Sequence, residues 1–205
     1  MACSSLVTMQ HTSDPSRLLD DRQWFLDVNS WARHTSALHG VVTAYAKYGV
    51  VLFAVLLLGG YLVGRGNGRV AAALWAPLAT LAAVAVNQPI ARGVGEPRPF
   101  SVFPHALVLV HRSTDASFAS DHATMAGAVA VGLFLVSRAL GVVATVAAIA
   151  MAVARVYVGV HFPVDVVAGL VLGGAIAGLG WLLARPVLTR LVGALERSRL
   201  RILTG

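Results

Sequence analysis

Charge is scarce in this chain: only 12% of its 205 residues are Asp, Glu, Lys or Arg, against about a quarter in an ordinary soluble domain. Half the usual polar coat is absent, and a soluble fold of this size could not cover its core. Disorder is excluded for the opposite reason, because 57% of the residues are hydrophobic. Cysteine is almost missing too. Cys3 stands alone, which excludes an internal disulfide and any cysteine-built metal site. A cleavable leader is not evident, since the first forty residues carry Asp14, Asp20, Asp21 and Asp27 and no continuous apolar core. Acidic residues number nine against sixteen basic ones, for a net charge of +7, and every basic residue but Lys47 is Arg. These cations are spread between long apolar runs, which excludes nucleic acid as the partner. Neither an internal repeat nor a low-complexity tract is present.

What is there is an integral membrane protein. A helix needs about 20 apolar residues to cross a bilayer core, and five stretches meet or approach that length, near 48–64, 70–90, 120–136, 139–158 and 164–184. The expected fold is all-α: a polytopic membrane helical bundle of about five to six transmembrane helices. Its small residues, such as Gly169, Gly173, Gly174, Ala177 and Gly178, let helices approach closely where water supplies no hydrophobic drive. Over 16–38, helical spacing gathers Trp24, Phe25, Val28, Trp31 and Ala32 opposite Arg22, Asp27 and Arg33. That pattern suits an amphipathic helix in the membrane interface, and equally a helix packed on the bundle. Residues 1–15 read as a disordered lead, 16–184 as one membrane-embedded unit and 185–205 as a basic cytoplasmic tail. In that tail, Leu188, Leu191, Val192 and Leu195 alternate with arginines as a second interfacial helix.

Loop arginines set the orientation. With five spans, Arg65, Arg69, Arg138 and the five tail arginines share one face, which should be cytoplasmic. The opposite, extracytoplasmic face then holds the 91–119 connection and the turn at His161. Arg17, Arg22, Arg33 and Lys47 run against this pattern.

That outward face carries the unusual residues. The 91–119 connection contains Arg92, Arg98, His105, His111, Arg112 and Asp115, and leads into Ser117-Phe118-Ala119-Ser120-Asp121-His122. The fourth span ends in Arg155, followed by His161, Pro163 and Asp165. Ionisable residues within and beside apolar runs are costly and usually mark a site. Converging guanidiniums suit phosphate oxygens. Ser120, at a helix start, adds a hydroxyl and the amides of a first turn, which favour an anion. A histidine paired with a carboxylate, as His161 with Asp165, becomes a better base or nucleophile. A second, His122, could give a proton to a leaving oxygen. Singly, each has a plainer reading: Arg98 as a headgroup arginine, Asp121-His122 as a helix cap, Arg155 as a snorkelling side chain. His105 and His111 read as interfacial residues without a role. Jointly, the group reads as a metal-independent phosphoryl-transfer set.

Arg98-Pro99, Ser120-Asp121-His122 and Arg155-x5-His161-x3-Asp165 resemble the three signatures of the phosphatidic acid phosphatase type 2 superfamily: Lys-x6-Arg-Pro, Pro-Ser-Gly-His and Ser-Arg-x5-His-x3-Asp. The Asp before the second-signature His, with the Trp24–Trp31 segment, is similar to the bacitracin-resistance type of undecaprenyl pyrophosphate phosphatase. The resemblance implies an integral membrane lipid phosphatase that needs no cofactor. Its substrate would be a polyprenyl pyrophosphate, and it would help recycle the lipid carrier of cell envelope synthesis. By that resemblance, His161 attacks phosphorus to form a phosphohistidine, Asp165 orients it, and His122 protonates the leaving group. Arg98, Arg155, Ser120, Asp121 and Arg92 form the phosphate-binding set. The departures are Ala91 for the signature Lys, with Arg92 beside it, Ala119 for Pro, Ala154 for Ser, and Glu96 where relatives often carry Arg. Alternatives are phosphatidate or phosphatidylglycerol phosphate as substrate, or a non-catalytic transporter or scaffold, for which Ala91 is the best argument.

Overall fold

The computed structural model describes residues 15–197, with side chains from Asp21 onward. Every regular element among them is helical: α1 (Pro15–His34), a 3₁₀ turn (Ser36–Leu38), α2 (His39–Gly66), α3 (Val70–Val94), a single turn α4 (Pro99–Val102), α5 (Asp121–Val136), α6 (Arg138–Tyr157) and α7 (Pro163–Glu196). The expected lead is outside the described residues apart from Pro15, as is the tail beyond Arg197.

Four segments are long and apolar enough to cross a membrane: Ser36–Gly66, Val70–Val102, Arg138–Tyr157 and Pro163–Glu196. The fifth expected span is α5, which has 16 residues and rises about 24 Å. It is the inner helix of the bundle, packed on α3, α6 and α7. Its small residues permit this. A Cβ on Gly127 would run into the backbone of Leu170 on α7, and one on Gly173 into the Thr124 carbonyl on α5. Close backbone approach of this kind is how helices associate in lipid. The outer helices turn large apolar side chains outward, including Val51, Val55, Leu58 and Leu62 of α2, Val146 and Ile149 of α6, and Leu182 and Leu183 of α7. Exposed apolar surface of that extent fits acyl chains, not water.

The helix α1 packs on the bundle. Its buried stripe is Asp21, Phe25, Asn29 and Ala32, two of them polar. Phe25 lies between the rings of Phe103, at 6.0 Å, and Phe162, at 5.5 Å. The Asn29 side chain makes both hydrogen bonds of a strand-like pair with the Leu107 backbone, at 2.8 and 2.9 Å. Trp24 and Trp31, expected on the same face, are instead more than half exposed. At the carboxyl end, α7 continues unbroken through Arg185 and Arg190, so the second interfacial helix is the last part of a 34-residue helix. Arg69 donates to the Val136 carbonyl at 3.1 Å and joins the α2–α3 turn to the end of α5. The opposite end gathers the carboxyl ends of α3 and α6 and the amino ends of α5 and α7.

Candidate functional site

At that second end lies a cavity of about 490 Å³, lined by residues that include Arg92, Arg98, Asp121, His122, Arg155 and His161. They come from the ends of α3, α5 and α6 and from two connections, so the fold closes a set scattered over some seventy positions. His161 is in the short connection between α6 and α7. Gly159, at φ +83°, turns that connection, and any side chain there would meet the Leu107 carbonyl.

His161 is 3% exposed. Its Nδ1 lies 2.9 Å from the Ser117 carbonyl oxygen and 3.5 Å from Asp165 Oδ2. A carbonyl oxygen can only accept, so Nδ1 carries the proton and the lone pair resides on Nε2. Nε2 faces Arg98 Nη1 at 3.4 Å, and a guanidinium can only donate, which agrees with that tautomer. Burial pushes the imidazole below its ordinary pKa. The hydrogen bond with Asp165 opposes this, and the charge of Arg155 adds to it. The result is a neutral imidazole with its free nitrogen turned to the cavity.

Asp165 is buried in the first turn of α7 behind Pro163. Its Oδ2 accepts from the Phe162 amide at 2.8 Å and from the Ser117 hydroxyl, so one carboxylate both closes the helix start and fixes the histidine. Asp21 of α1 accepts from the next amide, Val164, at 2.9 Å. Ser117 touches the pair through both its hydroxyl and its carbonyl, a role that its place in the sequence does not announce. Its signal was slight: a small polar residue three places before Ser120.

Arg98 is held by the carbonyls of Asp115, at 3.0 Å, and Val160, at 3.1 Å. Arg155 reaches the Ala46 carbonyl at 3.4 Å, and its Nε is buried without a partner among the described residues. The same holds for the Ser120 hydroxyl. The Ser120 amide is engaged by the Asp165 carbonyl at 3.1 Å, so of the amides expected to meet an anion, that one is occupied. The Asp121 carboxylate is drawn onto α3, accepting from Asn87 at 2.7 Å and Gln88 at 3.0 Å; neither amide stands out in the sequence of its apolar helix. Arg92 lines the same cavity as Ala91, while Glu96 lines a neighbouring one with Arg92 and Arg98. Among the described residues, no three His, Cys, Asp or Glu side chains cluster as metal ligands.

Comparison with known proteins points the same way. The family model described as the PAP2 superfamily matches residues 72–187. Undecaprenyl-diphosphatase BcrC of Bacillus subtilis (strain 168) is 31% identical over 147 residues, which cover 72% of this chain and 75% of that protein. The bacitracin transport permease protein BcrC of Bacillus licheniformis is 29% identical over 149 residues, 73% of each chain. In fold, the chain is similar to the transmembrane PAP2-type phosphatidylglycerolphosphate phosphatase from Bacillus subtilis. The TM-score is 0.61 at 21% identity, covering 87% of this chain and 89% of that one.

Proposed function

This chain belongs to the PAP2 superfamily, and on that premise we propose that it removes the terminal phosphate of a polyprenyl, undecaprenyl-type diphosphate. It is a multi-pass membrane phosphatase, built as an all-helical bundle. The observation that carries the substrate reading's chemistry is the free Nε2 of His161, turned to a cavity that His122 shares.

The roles follow from that arrangement. His161 Nε2 bonds to the terminal phosphorus while the bond from that phosphorus to the bridging oxygen breaks. His122 gives its proton to the departing oxygen, leaving a phosphohistidine and a lipid monophosphate. Water, losing a proton to His122, then takes the phosphoryl group from His161 and releases inorganic phosphate. Asp165 stabilises the positive imidazole, and Ser117 holds its tautomer. Arg98 and Arg155 hold the phosphoryl oxygens. Arg92, the Ser120 hydroxyl and the amide of Asp121 at the start of α5 assist them.

Substrate and metal requirement are tested together by phosphate release from the detergent-solubilised full chain with EDTA present. A panel of polyprenyl diphosphate, phosphatidate and phosphatidylglycerol phosphate should give the highest kcat/KM for the diphosphate. Vanadate should inhibit, as a trigonal-bipyramidal mimic bonded to His161. A strict Mg²⁺ requirement would sink the metal-independent mechanism, a preference for phosphatidate the substrate assignment. No turnover of any kind would favour a transport role.

The active face is proposed to be extracytoplasmic, from the arginines at the opposite end. Gly93 is exposed, with open space where a Cβ would be. In a Cys3→Ala background, Gly93→Cys should be labelled in intact cells by an impermeant thiol reagent. Labelling only after lysis would reverse the orientation.

A further inference from the structure

A second cavity, of about 420 Å³, is formed between α2 and the 109–111 segment of the long connection. His122 and Arg155 line both cavities and form their common wall, whereas His161 lines only the first. Lys47, Thr43 and His111 line the second and not the first. The proton donor thus stands between two chambers, with the nucleophile in one.

Lys47 is the chain's single lysine, about 12 Å along α2 from His39 at the rise of a helix. Beyond it, the outward positions Val50, Val51 and Val55 are apolar. Lys47 stands one residue before the apolar run near 48–64, at the end of the bundle that holds the site, with its side chain exposed. Its partner among the described residues is the face of the Tyr48 ring, 5.1 Å from Nζ, and no carboxylate pairs with it. The adjacent Ala46 carbonyl receives Arg155, which sets this part of α2 level with the phosphate-binding arginine. The two cavities also differ in charge from what the family signature leads one to expect. Ala91 leaves the first without the signature cation, and a lysine, Lys47, lines the second.

An in-line displacement places the leaving oxygen opposite the nucleophile. With His161 lining only the first cavity and His122 lining both, a group that departs past His122 would enter the second. We propose that this cavity binds the lipid-side phosphate of a diphosphate lipid, with Lys47 supplying the charge and Thr43 and His111 the hydrogen bonds. The assignment rests on the diphosphate reading above, and gives its specificity a physical origin: a lipid monophosphate presents no second phosphate for Lys47 to hold.

The test compares kcat/KM for a short-chain prenyl diphosphate and the matching monophosphate, using the solubilised full chain as wild type, Lys47→Met and Lys47→Arg. The diphosphate-to-monophosphate ratio should fall roughly 10- to 100-fold in Lys47→Met, the scale of one hydrogen bond between charged groups, and be largely kept in Lys47→Arg. Binding is read independently of turnover with a methylene-bridged prenyl diphosphonate, whose protection against thermal unfolding should shrink in Lys47→Met. A wild type that prefers the diphosphate and keeps that preference, and its protection, in Lys47→Met overturns this site alone. A wild type with no preference for the diphosphate overturns the substrate reading, and the site with it.

Discussion

His161→Ala should abolish turnover on every substrate and leave no phosphoenzyme to trap. The loss expected is roughly 10⁴-fold or more, the scale for removing a nucleophile that works as a unit with its partners. The geometry leaves no obvious substitute: Nε2 is the lone-pair nitrogen facing Arg98, and the other histidine of the cavity, His122, stands where it lines two chambers. Rapid acid-free quenching of wild type with ³²P-labelled lipid should trap a base-stable, acid-labile phosphoprotein, and the variant should show none. Asp165→Asn makes the informative comparison. An asparagine oxygen can still accept from the Phe162 amide, and the Ser117 carbonyl still holds Nδ1. The tautomer therefore survives while the negative charge is lost, so the variant should retain a phosphoenzyme and fall between wild type and His161→Ala. Wild-type rates in His161→Ala would sink the nucleophile assignment. Thermal unfolding of each variant separates lost chemistry from lost folding.

The parts of the molecule that were legible in the sequence are those whose signal is local. Apolar runs of about 20 residues reveal crossing helices whatever surrounds them, and arginines and histidines at the ends of such runs stand out against lipid. The range of α5 was legible to within one residue, 120–136 against Asp121–Val136, but its inner place in the bundle was not. Its apolar run resembles the others, and its burial comes from small residues that admit α7. The uncharged groups of the site were hidden for a related reason. Asn87 meets Asp121 from 34 positions away and Ser117 meets Asp165 from 48, and nothing in the neighbourhood of either announces its partner. In α1, periodicity exposed the amphipathic pattern but placed the tryptophans on the packed face. The polar Asp21 and Asn29 occupy that face instead, because amides of α7 and of the 107 segment wait there to be satisfied. Lys47, one residue before an apolar run, carries no sign in the sequence of the cavity it lines.

Replacement of His122 by Ala should produce a loss that depends on the leaving group. A general acid contributes typically ~10²–10⁴-fold, and a lipid alkoxide, which leaves poorly without a proton, should suffer that full factor when a monophosphate is the substrate. A diphosphate expels a phosphate monoester, which needs less protonation, and its loss should be distinctly smaller. The comparison has to be made on kcat/KM. That ratio reports steps up to phosphoenzyme formation when this step is irreversible, and so excludes the later attack of water, in which His122 serves as base for both substrates alike. In kcat the difference should narrow wherever hydrolysis of the phosphohistidine limits the rate. An aryl phosphate, whose phenolate leaves without assistance, should show the smallest loss in kcat/KM, though its kcat should still drop and phosphoenzyme should accumulate. Equal losses in kcat/KM across all three leaving groups would mean that His122 only positions the phosphoryl group, and would remove the reason for placing the departing lipid beyond it.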